Sequence, residues 1–153
     1  MKLLVATDFS ELAEKIFTEA EKLAKNLSAK VFLLHVIPPQ SPIIDPLPDA
    51  ERVILHDELL NYAAYHLSDS PELIKMRDIA VRFQEKGIDT TVIITQNNEV
   101  EAILNESEKH GADMIMLGSH GHGALFHLLI GSVSEGVIRQ ATCPVIIVPS
   151  RKR

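Results

Sequence analysis

The feature that most constrains this chain is a set of five short apolar runs separated by longer stretches with helical spacing. The runs are Leu3–Thr7, Lys30–Ile37, Thr90–Thr95, Met114–Gly118 and Val145–Val148. Each is apolar at successive positions and rich in β-branched residues, so each reads as a strand buried on both faces. Strands alternating with helices predict a parallel sheet joined by right-handed crossovers. The expected fold class is α/β, a doubly wound five-stranded parallel sheet with helices on both faces, in one domain over residues 1–153.

The first helix is the clearest. Leu12, Ile16, Phe17, Ala20, Leu23, Ala24 and Leu27 recur at three- and four-residue steps and form one apolar stripe. Ser10 is the expected N-cap, with Glu11 in the first turn. A later helix over Val100–His110 turns Ile103, Leu104 and Ser107 inward, and Gly111 is its expected stop. Helical spacing also runs through Asp49–His66 and Glu72–Lys86, with Pro71 breaking the pattern and Gly87 ending it. Five of the eight prolines fall in Pro38–Pro48, which excludes regular structure there.

The chain has 153 residues and is 46% hydrophobic, enough for a full core, since a chain near 150 residues buries about 70% of its unfolded surface. Aromatics are 5% and Trp is absent, so the core is aliphatic. The net charge of −6 lacks the clustered cations that nucleic acid selects, so no nucleic-acid partner is expected. The basic run Arg151–Arg153 reads as a solvated terminus. Cys143 has no second cysteine to pair with and reads as a buried structural thiol in a reducing compartment. The opening apolar run Leu3–Ala6 is far short of a signal peptide or of the about 20 apolar residues of a membrane helix. A cytoplasmic protein with no membrane partner is the expectation.

In an open parallel sheet, ligands bind beyond the carboxyl ends of the strands, where strand order reverses. That rule points to Asp8, to the end of the second strand near Val36, and to the loop opening at Gly118. Gly118-Ser119-His120-Gly121-His122-Gly123 directly follows a predicted strand, and Gly131-Ser132-Val133-Ser134 then opens a helix reaching about Gln140. Glycines let backbone amides approach an anion, and a helix N-terminus adds the positive end of a dipole. An ordinary glycine-rich turn followed by a serine-capped helix fits the same spacing. The G-x-x-x-x-G-K-[ST] loop and its lysine are absent, and the first strand ends in Ala6-Thr7-Asp8-Phe9-Ser10 without any glycine.

Gly118-x2-Gly121-x9-Gly131-Ser132 resembles the ATP-binding signature of the universal stress protein family. Leu4–Ser10 is similar to that family's first strand and turn, and Phe32–Val36 to its second strand. Ala112–Gly121 and Cys143–Val148 are similar to its last two. The likeness covers nearly the whole chain except about Pro38–Pro71. It implies an adenine-nucleotide α-hydrolase-like fold and bound ATP, with Mg²⁺ or Mn²⁺ carried through the phosphates. Placed by position, Ala6 and Thr7 line the site, Asp8 faces the ribose and the Val36 backbone meets adenine. Gly118, Ser119, His120, Gly121 and His122 wrap the phosphates, and Gly131, Ser132, Val133 and Ser134 complete the cradle. Two positions depart from the family pattern. Ala6 stands where many relatives have Pro, and Asn97 where they often have Gly.

His120, His122 and His127 cluster near the loop, but no carboxylate or thiol lies beside them in sequence, so a metal centre is not expected, and His120 and His122 read as polar walls of the phosphate site. His35 reads as a satisfied core histidine, and His56 and His66 receive no role. No Lys or Arg falls between Gly111 and Ile138, so no cation from this loop neutralises charge developing on a γ-phosphate, and Asp8 or Glu135 is the only candidate for a base. A regulatory ATP-binding protein read by an unidentified protein partner is therefore favoured, with no catalytic residue assigned. A weak ATPase or nucleotidyl-transfer enzyme and a dimeric stress protein with an empty pocket are the alternatives. Val145–Val148 lies between Pro144 and Pro149, is wholly aliphatic, and is expected at one sheet edge, where it would join a homodimer.

Overall fold

The computed structural model describes residues 1–38, 52–55, 71–120 and 130–150. The elements in chain order are β1 (Lys2–Thr7), α1 (Ala13–Leu27), β2 (Lys30–Ile37), β3 (Arg52–Leu55), α2 (Pro71–Glu85), β4 (Thr90–Gln96), α3 (Glu99–His110), β5 (Met114–Gly118), α4 (Ser132–Gln140) and β6 (Val145–Val148). The sheet order is β3-β4-β2-β1-β5-β6. The five predicted strands are all present and mutually parallel along this order.

β3 is an addition. It pairs antiparallel with β4, Arg52 opposite Thr95 and Leu55 opposite Val92. It falls inside Asp49–His66, which the sequence marks as helical. The run Arg-Val-Ile-Leu is apolar enough to fit either period, and pairing decides the outcome, because the outer side of β4 presents unpaired backbone that a strand satisfies. The rest of Asp49–His66 lies outside the described residues, as does most of Pro38–Pro48.

Both sheet faces are covered, and strand parity sorts the side chains. Leu3, Val5, Val31, Leu33, Val92, Ile94 and Met116 pack on one face with Ile16, Phe17 and Ala20 of α1 and Leu73, Met76, Ala80 and Phe83 of α2. Leu4, Ala6, Phe32, Leu34, Val36, Ile93, Ile115 and Leu117 pack on the other with Ala102 and Ile103 of α3 and Val137 of α4. α1 returns the chain from β1 to β2 on one side of β1, while α3 carries it from β4 to β5 on the other. Strand order therefore reverses at β1, and the carboxyl ends of β1 and β5 flank the crevice.

Helix ends follow local chemistry, with one exception. Gly111 (φ 60°) and Gly87 (φ 75°) adopt left-handed backbone and stop α3 and α2, as their positions predict. Asn98 caps α3, its side chain accepting from the amides of Val100 and Glu101 at 3.1 and 3.3 Å. α1 departs from expectation. It begins at Ala13 with Leu12 at its N-cap position and no side-chain cap, and Ser10 acts only through its carbonyl, which accepts from Ala13 N at 2.9 Å. Leu27, at the end of the predicted stripe, is 38% exposed because the chain turns away at left-handed Ser28. Across α1 and α2, Glu21 accepts from Arg82 Nε at 2.7 Å and pairs with Lys86, while Arg82 Nη1 reaches Glu14 at 2.9 Å.

α3 and α4 pack closely because Gly136 has no side chain. A Cβ there would lie 2.8 Å from Val100 Cγ2. Gly136→Val is expected to lower stability by about 1–3 kcal/mol, the usual cost of overpacking. Val100→Ala in the same chain should recover part of that loss. Thermal unfolding of the single and double variants checks both, and an unchanged melting temperature for Gly136→Val would contradict this packing.

Candidate functional site

The site is built outward from Ser119, the first residue after β5, which is 5% exposed. Its amide donates to Val148 O at 2.8 Å, and its carbonyl accepts from Gly131 N at 2.7 Å. Its hydroxyl oxygen accepts from Ser150 N at 3.0 Å and lies 3.0 Å from His120 Nδ1. One residue thus ties the end of β6, the entry of the loop and the start of α4. Ser134 Oγ donates to Gly118 O at 2.7 Å and fixes the first turn of α4 against the end of β5. The hydroxyls of Ser119 and Ser134 accordingly form the frame of the loop.

Gly118 is bare for a packing reason. A Cβ there would meet Leu12 Cδ2 at 2.8 Å and Ile16 Cδ1 at 3.1 Å, so α1 crosses directly over the end of β5. Gly131 occupies the N-cap of α4 with φ −73° and ψ 159°, extended backbone open to any residue. Glu135 N donates back to Gly131 O, which leaves the amides of Ser132, Val133 and Ser134 as the first-turn donors without an intrahelical acceptor. Together with the dipole they give this end of α4 a positive partial charge.

The second wall is the turn after β1. Thr7 Oγ1 accepts from Phe9 N at 3.1 Å, and Asp8 Oδ1 accepts from Ser10 N at 3.0 Å. Phe9 has φ 58°, a left-handed conformation that is unusual for an aromatic residue. Ala6 and Val36, each 8% exposed, belong to the α3/α4 face at the ends of neighbouring strands. Thr7 and His35 are register partners on the same two strands and share the parity of the opposite face. His35 Nδ1 lies 2.9 Å from Thr7 O, so the expected core histidine is buried and bonded. Burial pushes its pKa below the ordinary 6.5, against the Thr7 bond and the nearby Glu72 and Asp8, which pull it up.

The structure thus brings Ala6, Asp8, Val36, Gly118, Ser119, His120 and Gly131–Ser134 to one edge of the sheet, while Thr7 contributes through the turn. Gly121 and His122 lie outside the described residues, as do His127, His56 and His66. Among the described residues, no three His, Cys, Asp or Glu side chains gather as a metal site, and no helix is long and apolar enough to cross a membrane. Cys143 is partly rather than fully buried, with Sγ 3.7 Å from Ser107 Oγ. Asn97, which stands where family members often have Gly, has a negative φ, and its side chain accepts from Asn98 N at 2.7 Å. Sequence reasoning missed Ser150, Phe9 and Gly136. The signal for Phe9 was present, since a sharp turn with no glycine forces some other residue into the left-handed region.

Residues 1–149 match the model of the Universal stress protein family. The chain belongs to the universal stress protein family. It is 32% identical over 156 residues to universal stress protein YxiE of Bacillus subtilis, covering 96% of this chain and 97% of that one. It is 32% identical over 155 residues to universal stress protein MJ0577 of Methanocaldococcus jannaschii, covering 96% and 93%. The solved structure of MJ0577 matches with a TM-score of 0.74 at 28% identity, over 99% of this chain and 97% of that one. Two further solved structures share the fold. A universal stress protein in complex with cAMP matches at TM-score 0.67 and 20% identity, over 99% and 98% of the two chains. One from Archaeoglobus fulgidus in complex with dAMP matches at 0.61 and 18%, over 96% of each.

The Ser134–Gly118 bond is testable in this family member. Ser134→Ala removes the donor and leaves the Gly118 carbonyl without it, which is expected to cost about 1–3 kcal/mol. Chemical denaturation of Ser134→Ala against wild type measures the loss, and equal stability would mean that the bond does not anchor α4.

Proposed function

We propose that this chain is a regulatory ATP-binding protein of the stress response, holding ATP with Mg²⁺ and hydrolysing it slowly or not at all. The observation that carries the reading is the anchored N-terminus of α4, held to the end of β5 by Gly131 N–Ser119 O and Ser134 Oγ–Gly118 O. That arrangement sets three first-turn amides at the topological switch point, where phosphate is favoured. Asp8, Ala6 and the Val36 backbone are the groups proposed for ribose and adenine. The relatives in complex with cAMP and dAMP support an adenine nucleotide as the ligand class. Gly118 and Ser119, with His120, Gly121 and His122, are proposed to border the phosphates, and Gly131, Ser132, Val133 and Ser134 to cradle them.

The charge balance favours binding over turnover. No Lys or Arg lies between Gly111 and Ile138, so no cation of this segment neutralises charge at a leaving phosphate. Mg²⁺ bound with the nucleotide would supply Lewis-acid neutralisation of the phosphates. Calorimetric titration with Mg-ATP should give binding. Turnover should fall well below the roughly 1–100 s⁻¹ of kinases. Gly131→Val should abolish binding while the fold persists, because the backbone there is extended and accepts valine whereas the space beside a phosphate does not. Wild-type affinity in a folded Gly131→Val protein, or no heat from wild type at millimolar Mg-ATP, would overturn the reading.

A homodimer through β6 is proposed alongside. β6 is an end strand of the sheet, bonded to β5 on one side, and Val145, Ile146 and Ile147 are only partly buried. Flat, uncharged edge strands of this kind pair with a second copy. Sedimentation at micromolar concentration should give a dimer for wild type and a monomer for Ile147→Lys, with circular dichroism confirming that the variant is folded. A monomeric wild type, or a variant dimer as tight as wild type, counts against this edge.

A further inference from the structure

His35 and Phe9 lie across the sheet from the groups assigned to the nucleotide, and the site as proposed leaves both without a role. Their geometry converges on the single peptide that presents Asp8. His35 stands beside Thr7 in register on the neighbouring strand, and its Nδ1 lies 2.9 Å from the Thr7 carbonyl oxygen. A carbonyl only accepts, so Nδ1 carries the proton and donates. That carbonyl belongs to the peptide joining Thr7 to Asp8, so the imidazole fixes the plane from which the Asp8 side chain departs.

The same ring constrains the turn from a second direction. The Phe9 ring centroid lies 4.7 Å from that of His35 with the planes tilted by 47°, and Lys75 Nζ lies 5.2 Å from the Phe9 centroid on its other contact. Phe9 is one of two non-glycine residues with positive φ among the described residues, and such a conformation persists in an aromatic residue only where its surroundings over-determine it. The Thr7 Oγ1–Phe9 N and Asp8 Oδ1–Ser10 N bonds supply part of that determination. Each spans only two residues and is local to the turn. The His35 contacts reach the turn from the neighbouring strand. His35 is 8% exposed, so water does not replace its donor if it is lost.

We propose that His35 is a positioning residue that sets the Asp8 turn from the opposite face of the sheet, through the Thr7–Asp8 peptide and the Phe9 ring. Its consequence for affinity rests on the nucleotide reading above; its effect on the turn does not. The test compares wild type with His35→Leu, which fills the volume without a donor, and His35→Asn, whose side-chain amide nitrogen falls where Nδ1 lies. Amide hydrogen exchange is read at Phe9 and Ser10 in the unliganded protein, and Mg-ATP affinity is read by calorimetry on folded protein. In His35→Leu, exchange at Phe9 and Ser10 should rise about tenfold and affinity should fall about tenfold, the scale of one lost hydrogen bond. Amides of β4 and α3 should keep their protection, and His35→Asn should return both readouts toward wild type. If His35→Leu does not fold, His35→Met replaces it, a flexible apolar side chain that fills the volume without an N–H donor. Wild-type exchange at Phe9 and Ser10 in the donor-less variant, or no recovery in His35→Asn, overturns the role. A lowered melting temperature with unchanged affinity in folded protein likewise reduces His35 to a core residue. The expected exchange pattern in a wild type that binds no Mg-ATP upholds the role and sinks the nucleotide reading alone.

Discussion

Ser119 sits where three segments of chain must meet without leaving buried polar groups unpaired, and the carboxyl edge of the sheet depends on how it does so. The amide, carbonyl and hydroxyl of this one residue are all committed, to Val148, Gly131, Ser150 and His120. A buried serine with that many partners is costly to replace, because each lost bond leaves its partner desolvated. The arrangement also explains why β6, α4 and the loop entry form one unit. The Gly131 amide is held by the Ser119 carbonyl, so the helix begins at a fixed point relative to β5 rather than at the end of a free loop.

The position of β1 in the sheet gives that fixed point its significance. β1 is bonded on both sides, to β2 and β5, and its side chains are buried on both faces. Nothing at its carboxyl end can move without disturbing two neighbours. The chain leaves β1 through a turn with no glycine, and the backbone irregularity falls on Phe9, held by Thr7, Asp8 and His35. Two elements from opposite directions, the β1 turn and the α4 terminus, are thereby fixed at one crevice. Rigidity of this kind is what a binding edge needs, since ordering a floppy site would subtract from affinity.

The parts of this structure legible in sequence are those set by period and by glycine. Five strands with apolar residues on both faces, and the stops at Gly87 and Gly111, follow from local rules that tertiary context does not overturn. β3 was not legible, because Val53, Ile54 and Leu55 suit a helix as well as a strand and only the open side of β4 chooses between them. The Ser10 cap failed because the helix starts three residues later, at Ala13, where Ser10 contributes its carbonyl and not its hydroxyl. At the site, the glycine and serine positions were legible but the division of labour was not. Gly118 could be read as an open approach to an anion, whereas its missing side chain makes room for Leu12 and Ile16. Ser134 could be read as a donor to a ligand, whereas its hydroxyl holds the Gly118 carbonyl. Sequence shows which residue types gather; only coordinates show which polar atoms the protein itself has already used.

That division of labour bears on what the edge can do chemically. With the hydroxyls of Ser119 and Ser134 committed to the frame, the first-turn amides of α4 are left to face an anion, and they have a fixed direction and carry partial rather than full charge. Fixed amides accelerate a reaction only where charge develops in front of them, and donors that face oxygens charged throughout stabilise the bound and the reacting phosphate alike. Uniform stabilisation of ground and transition states strengthens binding without raising the rate of the chemical step. Catalysis would require a group whose interaction grows as charge develops, and the stretch from Gly111 to Ile138 carries no lysine or arginine to provide it. The frame at Ser119 and Ser134 and the absence of lysine and arginine between Gly111 and Ile138 are accordingly the two features on which the proposed reading, binding without rapid turnover, rests.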